Sequence, residues 1–520
     1  MISIDKIMKT TTMQRTIISL SLLGFIAAEV RAQEGEYRYA DAAQLWRTTD
    51  NAAGLWLDST CNRGYAQFNL MHRDGNYRRV QEESQLNQLT FDTERYQRIG
   101  NFLTGYGSMR FDMNHAKDRS WSDVMRPYNS NPFIPGSNIG GKYDLQAFDL
   151  TAAIGSRPLW GVTTGLRLDY KVADLSRLRD PRSRSELLDY KLTPSLTYNT
   201  GSHTFGLDGS YSRRKEKIPN IQTVQNDPNI AYYLLSGMET ATGSTGGYKG
   251  FGREWVEHRF AANLAYNYRN GQLNSLTILG VERGSEDVLE DEKHEPGHFT
   301  SYNYHLTSKN RVKDARVLHQ IDLNMSYEQA YADEYKQQRV QTKDALTGLT
   351  SYHYETLIEY RKRYQIKLFE GSFAYRANFI HQQATTAYAG AKFALCSVQN
   401  RRLLPLSKMK YEHFDIKSEG GKSFFDGRLW VDAAISYHIA ASADLSLADA
   451  TTAFAQQVLT PDQDYYRANY MQGRLELKYL FPLTIKRVKS NWYIKAYGDY
   501  LRTHNHLERK TVGVSLGIYN

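Results

Sequence analysis

The sequence predicts an all-β fold, a transmembrane antiparallel up-and-down β-barrel of about 16 strands (about 14–20), preceded by a short N-terminal periplasmic or lumenal segment. Three observations predict it. Apolar and polar residues alternate with period two in segment after segment. The segments run about 10–15 residues, against about 5–6 for strands of soluble proteins. Short and long connections alternate between them, as periplasmic turns alternate with outer loops in membrane barrels.

The alternation is the primary signal, because successive side chains of a strand point to opposite faces. Tyr190, Leu192, Pro194, Leu196 and Tyr198 share one face of a stretch whose other face is Lys191, Thr193, Ser195, Thr197 and Asn199. A turn at Thr200–Ser202 follows, after which Phe205, Leu207, Gly209 and Tyr211 oppose Thr204, Asp208, Ser210 and Ser212. That is a hairpin with one apolar and one polar face. The same pattern carries Met109, Phe111 and Met113, then Leu166, Leu168 and Tyr170, then Phe260, Leu264 and Tyr266. It recurs at Ile321, Leu323 and Met325, at Val431 and Ile435, and at Leu475 and Leu477. A soluble sandwich also alternates, but it needs a second layer over its apolar faces, and no second class of element is visible.

Short turns fall near Arg98–Gly100, Ser156–Pro158, Thr200–Ser202 and Arg269–Gly271, and long loops near Ala116–Gly141, Ser176–Glu186 and Glu216–Trp255. The region 330–426 is hard to divide, and Arg339–Phe379 reads as one long hairpin or more. The last strand, Lys510–Asn520, turns Val512, Val514, Leu516 and Ile518 outward. It resembles the C-terminal signal that outer-membrane barrels present to their insertion machinery, except that Tyr519 is penultimate rather than last.

Ahead of the barrel, residues 1–32 read as a signal peptide. Lys6, Lys9 and Arg15 precede the apolar run Ile17–Val30, and Val30-Arg31-Ala32 supplies small residues for cleavage before Gln33. Residues 33–63 do not alternate. Ala40–Trp46 reads as a short helix, and the segment is a candidate plug or cap for the barrel at 64–520.

Composition limits the alternatives. Hydrophobic residues make up 41% of the 520, with a mean hydropathy of -0.60 and no apolar run of spanning length after the N-terminus, so a helical membrane protein is excluded. Aromatics at 12%, with 38 Tyr, exclude a disordered chain. The charge of +9 is spread without a basic block, so no nucleic-acid partner is expected. The expected partners are outer-membrane lipid and lipopolysaccharide, the barrel-insertion machinery and an uptake-system protein. No cofactor is expected.

Four sets of residues are candidates for chemistry. His294-Glu295-Pro296-Gly297-His298 matches HExxH, whose ligands share a metal only on a helix. Pro296 and Gly297 disfavour that helix, which leaves His294, Glu295 and His298 as weak metal candidates in an acidic loop. Trp121–Ile139 is too apolar for an idle tether. Its Trp121, Asp123, Arg126, Tyr128 and Asn131 are candidates for a constriction or a ligand contact. Arg110, Arg167, Asp169, Asp322 and Arg474 fall on polar faces, as a salt-bridged lumen wall or a selectivity filter. Cys61 and Cys396 both read as periplasmic, Cys396 at the end of a descending strand, and a disulfide between them is open.

The whole mature chain resembles an uncharacterised family of outer-membrane β-barrels of the Bacteroidota. The resemblance rests on Asn51-Ala52-Ala53-Gly54-Leu55 after Trp46, on Thr93-Glu94-Arg95-Tyr96, and on Trp121-Ser122-Asp123-Val124 with Arg126-Pro127-Tyr128-Asn129-Ser130-Asn131-Pro132. It implies a barrel in the cell outer membrane and supplies no substrate or catalytic residue. Asn51–Leu55 also loosely resembles the Asn-Pro-Ala-Gly-Leu hatch of long-chain fatty-acid transporters, without its Pro. The expected function is a pore or an accessory of an uptake system. The alternatives are a surface adhesion or secretion component using long loops, and an outer-membrane hydrolase, for which no convincing Ser/His/Asp set is present. The chain is too short for a separate plug domain and a 22-stranded TonB-dependent barrel.

Overall fold

The computed structural model describes residues 34–519 except 59–61, 220, 222, 224–229, 246–251, 344–345 and 486–487. The expected signal peptide and Cys61 lie outside the described residues. The barrel strands are β1 (Arg63–Gly75), β2 (Gln85–Ile99), β3 (Leu103–Arg119), β4 (Gly141–Ser156), β5 (Val162–Arg177) and β6 (Arg184–Thr200). They continue with β7 (His203–Ile218), β8 (Arg253–Arg269), β9 (Leu273–Glu290), β10 (Gly297–Lys313), β11 (Val317–Lys343) and β12 (Thr350–His381). The last are β13 (Ala384–Arg402), β14 (Ser407–Phe424), β15 (Leu429–Ser446), β16 (Tyr470–Ile485), β17 (Val488–Thr503) and β18 (Glu508–Tyr519). Each pairs antiparallel with the next, and β18 returns to β1 with Tyr519 opposite Tyr65. The 18-stranded sheet is therefore a closed up-and-down barrel with no free edge.

Eighteen strands replace the expected 16, and the difference arises where the sequence was hardest to divide. Arg339–Phe379 belongs to a single hairpin, whose strands β11 and β12 run 27 and 32 residues. Register shifts between Ala332 and Glu334 and between Lys336 and Gln337 twist the ribbon where it leaves the barrel. Period two persists through it, so no change of pattern marks where the barrel stops.

The two ends of the barrel differ as expected. At one end the strands are joined at 100–102, 157–161, 201–202, 270–272, 314–316, 382–383, 425–428 and 486–487, and both chain ends lie there. The opposite end carries the long connections 76–84, 120–140, 219–252 and 447–469. The expected long loop at Ser176–Glu186 is short, because β5 reaches Arg177 and β6 begins at Arg184.

The alternation resolves into an apolar outside and a polar inside. Leu264 is 63% exposed and Phe260 62%, whereas Thr193 and Thr197, of opposite parity on β6, are fully buried. Tyr198, Phe205 and Tyr266 ring the outer surface toward the turn end, and Tyr211 and Phe260 toward the loop end. An apolar belt between two aromatic girdles matches the thickness and chemistry of a bilayer. Among the described residues no helix is long and apolar enough to cross a membrane. Leu264 lies between Tyr266 and Phe260 on the outward face of β8. Leu264→Arg is expected to destabilise the folded barrel by about 2–4 kcal/mol, the cost of a basic side chain near the bilayer midplane. The measurement is the urea midpoint in lipid vesicles, read by heat-modifiable gel mobility. An unchanged midpoint would put this face in water.

Candidate functional site

A barrel of 18 strands is wide enough to enclose an aqueous channel. Here the chain fills that space from both ends, and the candidate site is the lumen between.

The turn end is crossed by residues 34–58. Helix α1 (Glu34–Ala43) begins earlier than expected and is followed by two short 3-10 turns, Trp46–Thr48 and Ala52–Trp56. Trp46 lies in the second of these elements rather than in the helix, and Trp46 Nε1 donates to Asn267 Oδ1 at 3.3 Å. Ion pairs hold α1 to the wall. The Arg38 guanidinium grips both oxygens of Asp432 at 2.8 and 2.7 Å and also bonds Glu34 at 2.7 Å. Glu34 receives Lys478 Nζ of β16 at 2.5 Å and the hydroxyl of Tyr519. Tyr519 thus points inward as part of the latch, while Val512, Val514 and Leu516 of the same strand face out.

Across the lumen, the segment Asn51–Leu55 docks on β4–β7. Asn51 caps its own turn, accepting from Gly54 N at 3.2 Å, and donates to the carbonyls of Leu196 and Leu207 on two neighbouring strands. Ala53 N donates to Ser195 Oγ at 3.0 Å. The backbone approaches so closely that a Cβ at Gly165 would stand 2.2 Å from Ala53 N, and one at Gly155 2.5 Å from Ala52 O. Glycine is required at both sites by this contact rather than by backbone conformation. Farther along, Asp50 pairs with Lys191 at 2.6 Å and with Arg167 at 3.6 Å.

The loop end is closed by folded loops. The stretches Pro135–Gly136, Ala231–Leu235 and Ala241–Thr245 form a three-stranded sheet. Trp121 is 1% exposed and packs on Tyr233 and Phe454 with ring centroids 4.5 and 5.2 Å apart. Beneath it, Val124, Phe133 and Ile134 join inward residues of the strands, among them Trp255, Val288, Ile366 and Tyr411, in one apolar core. The expected constriction by loop 120–140 is therefore what forms. Asp123 is the loop's buried polar node, accepting from the hydroxyls of Tyr143 at 2.6 Å and Tyr232 at 2.9 Å, with Arg177 at 4.0 Å. Asn131 bonds Glu286 of β9 at 2.7 Å.

A third loop completes the lid through helix α2 (Thr460–Arg467). Asp462 of α2 accepts from Val80 N at 2.8 Å and lies beside Tyr128, whose ring carries Arg79 on its face at 3.6 Å. Burial pushes the Asp462 carboxyl up to about 7, against the lowering by the Val80 N–H and Arg79; Glu82 adds to the rise. A raised folded pKa means the native lid holds a proton that the unfolded loop releases near 3.8. Lid stability is therefore full below about pH 4 and falls as pH rises through about 7. Limited proteolysis of loop 447–469 is expected to quicken over that interval and to lose its pH dependence in Asp462→Asn. A rate equal in both proteins at every pH would refute it.

Between lid and plug the wall is charged and largely neutralised. Arg110 bonds Asp112 through two nitrogens at 2.7 and 3.0 Å, and Arg167 bonds Asp169 at 2.8 Å. Asp322 pairs with Arg311 at 2.5 Å, and Arg474 with Glu476 at 3.0 Å and Asp499 at 3.4 Å. These candidates form the salt-bridged wall. Arg126 differs: it reaches into a cavity of about 190 Å3 under the lid and has no ion-pair partner among the described residues. A second lumenal cavity of about 290 Å3 is lined by Asp322, Arg376, Lys392, Lys417 and Glu419.

The HExxH stretch is not a shared site. It is the end of a loop and the start of β10, not a helix, because Pro296 and the strand pairing of Gly297 forbid one. His294 turns to Glu290 at 2.7 Å and His298 to Asp287 at 2.7 Å. The nearby acidic residues are likewise committed, Glu286 to Asn131 and Asp291 to the backbone of Gly252. Cys396 also differs from expectation. It is a free thiol inside β13, opposite Glu370 and His413, well away from the turn end. The sequence reading missed His413, Asp415 and His438, which converge in the lumen from β14 and β15. Their only signal was inward parity on adjacent strands, which needs the strand register to be seen.

A family model described as a family of unknown function (DUF6850) matches residues 52–520. No curated protein matches. Among solved structures, the outer membrane transporter YddB from Escherichia coli is 8% identical with a TM-score of 0.41, over 89% of this chain and 81% of that one. The copper transporter OprC is 10% identical with a TM-score of 0.40, over 88% and 81%. The siderophore receptor PirA from Acinetobacter baumannii is 8% identical with a TM-score of 0.36, over 89% and 81%. The likeness is of one large β-barrel to another.

Proposed function

The chain belongs to this family of unknown function, and we propose that it is an outer-membrane β-barrel that passes polar solutes through a lumen closed at rest by its own N-terminal segment and outer loops. The observation that carries the reading is the plug: residues 34–58 cross a channel-sized barrel and are held there by ion pairs and hydrogen bonds, not by a shared apolar core. Such contacts exchange with water and leave the segment removable. The secretory leader read at 1–32, the apolar belt and the outward-facing last strand support the outer membrane as its location, with outer-membrane lipid and lipopolysaccharide around it and the barrel-insertion machinery as its assembly partner. The turn end then faces the periplasm, where the plug is within reach of an uptake-system protein. The barrel is a conduit and carries out no hydrolysis in this reading.

Planar-bilayer recording tests it. The mature chain is expected to be silent or to flicker, and the chain lacking residues 33–58 to give stable open channels. A truncated barrel that inserts, shows heat-modifiable mobility and stays silent would end the proposal.

The β11–β12 hairpin favours a second role beside the first. It stands clear of the barrel and exposes Leu349, Tyr352, Leu357 and Ile358, an arrangement suited to holding a surface partner. Replacing 336–358 by a tight turn is expected to leave channel behaviour of the plugless barrel unchanged and to abolish any cell-surface partner contact found by crosslinking.

A further inference from the structure

The geometry points to a binding site for a borderline divalent transition metal, of the class of Zn2+, Co2+ or Ni2+, on the lumen wall at His413, Asp415 and His438. His413 and Asp415 are two residues apart on β14, so both face inward, and Asp415 stands directly opposite His438 on β15. One donor atom from each lies within 4.8 Å of the others. Donors around a tetrahedral ion at about 2.0–2.1 Å are themselves about 3.3 Å apart. Closing that difference takes only side-chain rotation. Two imidazoles with one carboxylate suit these ions and not Mg2+ or Ca2+, which take oxygen ligands.

A hydrogen-bonded His–Asp pair would account for part of this, since His438 Nδ1 lies 2.7 Å from Asp415 Oδ1. It does not account for His413. The His413 ring has no hydrogen-bond partner among the described residues, yet its Nε2 is aimed at the second oxygen of the same carboxylate at 3.7 Å. That distance is too long for a hydrogen bond and leaves room for an ion. The sheet supplies a second, independent observation. The ladder slips between Glu412 and His413, where Ala440 and Ser442 are successive partners on β15. Bulges of this kind re-aim side chains beside functional sites. Tyr470 stacks on the His438 ring at 4.4 Å and 5°, fixing its orientation.

The fourth position falls to Cys396. Its thiol is free, and it stands opposite His413 on the next strand. Directly opposed residues carry Cβ atoms about 4.5–5.5 Å apart, within reach of one ion. The inference does not depend on the barrel conducting.

The test uses the untagged mature barrel in detergent, titrated with Zn2+ by calorimetry and with Co2+ by visible absorption. One equivalent is expected to bind, with the d–d bands of tetrahedral cobalt and a thiolate-to-cobalt band that Cys396→Ser removes. His413→Ala and His438→Ala are each expected to weaken binding by more than about 100-fold. Asp415→Asn, which keeps the side-chain shape, is expected to weaken it too, so that loss of binding is separable from misfolding. His294→Ala with His298→Ala is expected to change nothing. The site is overturned if the native barrel shows no saturable binding, or if one equivalent still binds to the His413→Ala, His438→Ala double variant. A native Co2+ spectrum without the thiolate band overturns the place given to Cys396.

Discussion

Gly165→Leu combined with Arg38→Ala should convert a silent barrel into one with sustained open channels, although the whole plug remains in the chain. The two substitutions act on opposite walls. A leucine at 165 cannot coexist with Ala53, whose backbone nitrogen would lie 2.2 Å from the new Cβ. The Ala52–Trp56 turn must leave β4–β6. Arg38→Ala releases the other side, where the guanidinium is only 22% exposed and holds both Asp432 and Glu34. Removing one partner of a buried ion pair costs about 3–5 kcal/mol, because a charge is left uncompensated. Even half of the lower figure moves a docked-to-undocked equilibrium about tenfold, since about 1.4 kcal/mol is a factor of ten. Each single variant should flicker, because one anchor remains, and the pair should stay open. Current recorded across planar bilayers reads the difference. A double variant as silent as the native chain would show that the plug is not what closes the lumen, and that the lid alone does so.

The plug and the lid close the same lumen by different physics. The plug makes charged contacts to the wall, each exchangeable with water. The lid is an apolar core of loop residues packed on the upper strands, with a few fully satisfied polar nodes. An apolar core opens cooperatively or not at all, whereas ion-paired contacts can be exchanged one at a time. Opening of the conduit is therefore expected to begin at the turn end, with the lid following as a unit.

The barrel was legible in the sequence because period two survives in every strand and one face meets lipid. Outward leucines such as Leu166, Leu196 and Leu475 were assigned from parity alone and stand on the outer surface. The strand count was less legible, since the β11–β12 ribbon keeps the same alternation after leaving the barrel. Loop 120–140 was marked by its aromatics and prolines, and Trp121 does anchor the lid. What was hidden depends on register. Arg38 with Asp432 is separated by 394 residues, and no local pattern joins them. His413 and His438 likewise sit on strands whose pairing composition does not reveal. Tyr519 in penultimate place looked like a flaw in the assembly signal, but parity at the end of β18 puts 519 inside, where it bonds Glu34.

Asp123→Ala should release the lid while leaving the barrel intact. Asp123 is 1% exposed and takes hydrogen bonds from Tyr143 of β4 and Tyr232 of the lid sheet, so it ties loop 120–140 both to the wall and to loop 219–252. Its charge also faces Arg177, whose side chain is completely buried and otherwise bonds the carbonyls of Ile139 and Arg179. Alanine removes the anion and keeps the cation, the substitution that leaves a buried charge uncompensated at about 3–5 kcal/mol. The strands do not depend on this node, because their ladders close on themselves. Unfolding in urea should therefore keep its main transition, while loops 120–140 and 219–252 become protease-sensitive at least about tenfold faster, as a loss beyond about 1.4 kcal/mol requires. Asp123→Asn separates the two contributions. It keeps an acceptor for a tyrosine hydroxyl and loses the charge, so it should fall between native and alanine. If asparagine matches the native lid, the hydroxyl bonds and not the Arg177 charge hold the loops; if alanine matches it, the apolar packing around Trp121 and Phe133 suffices and the node is dispensable.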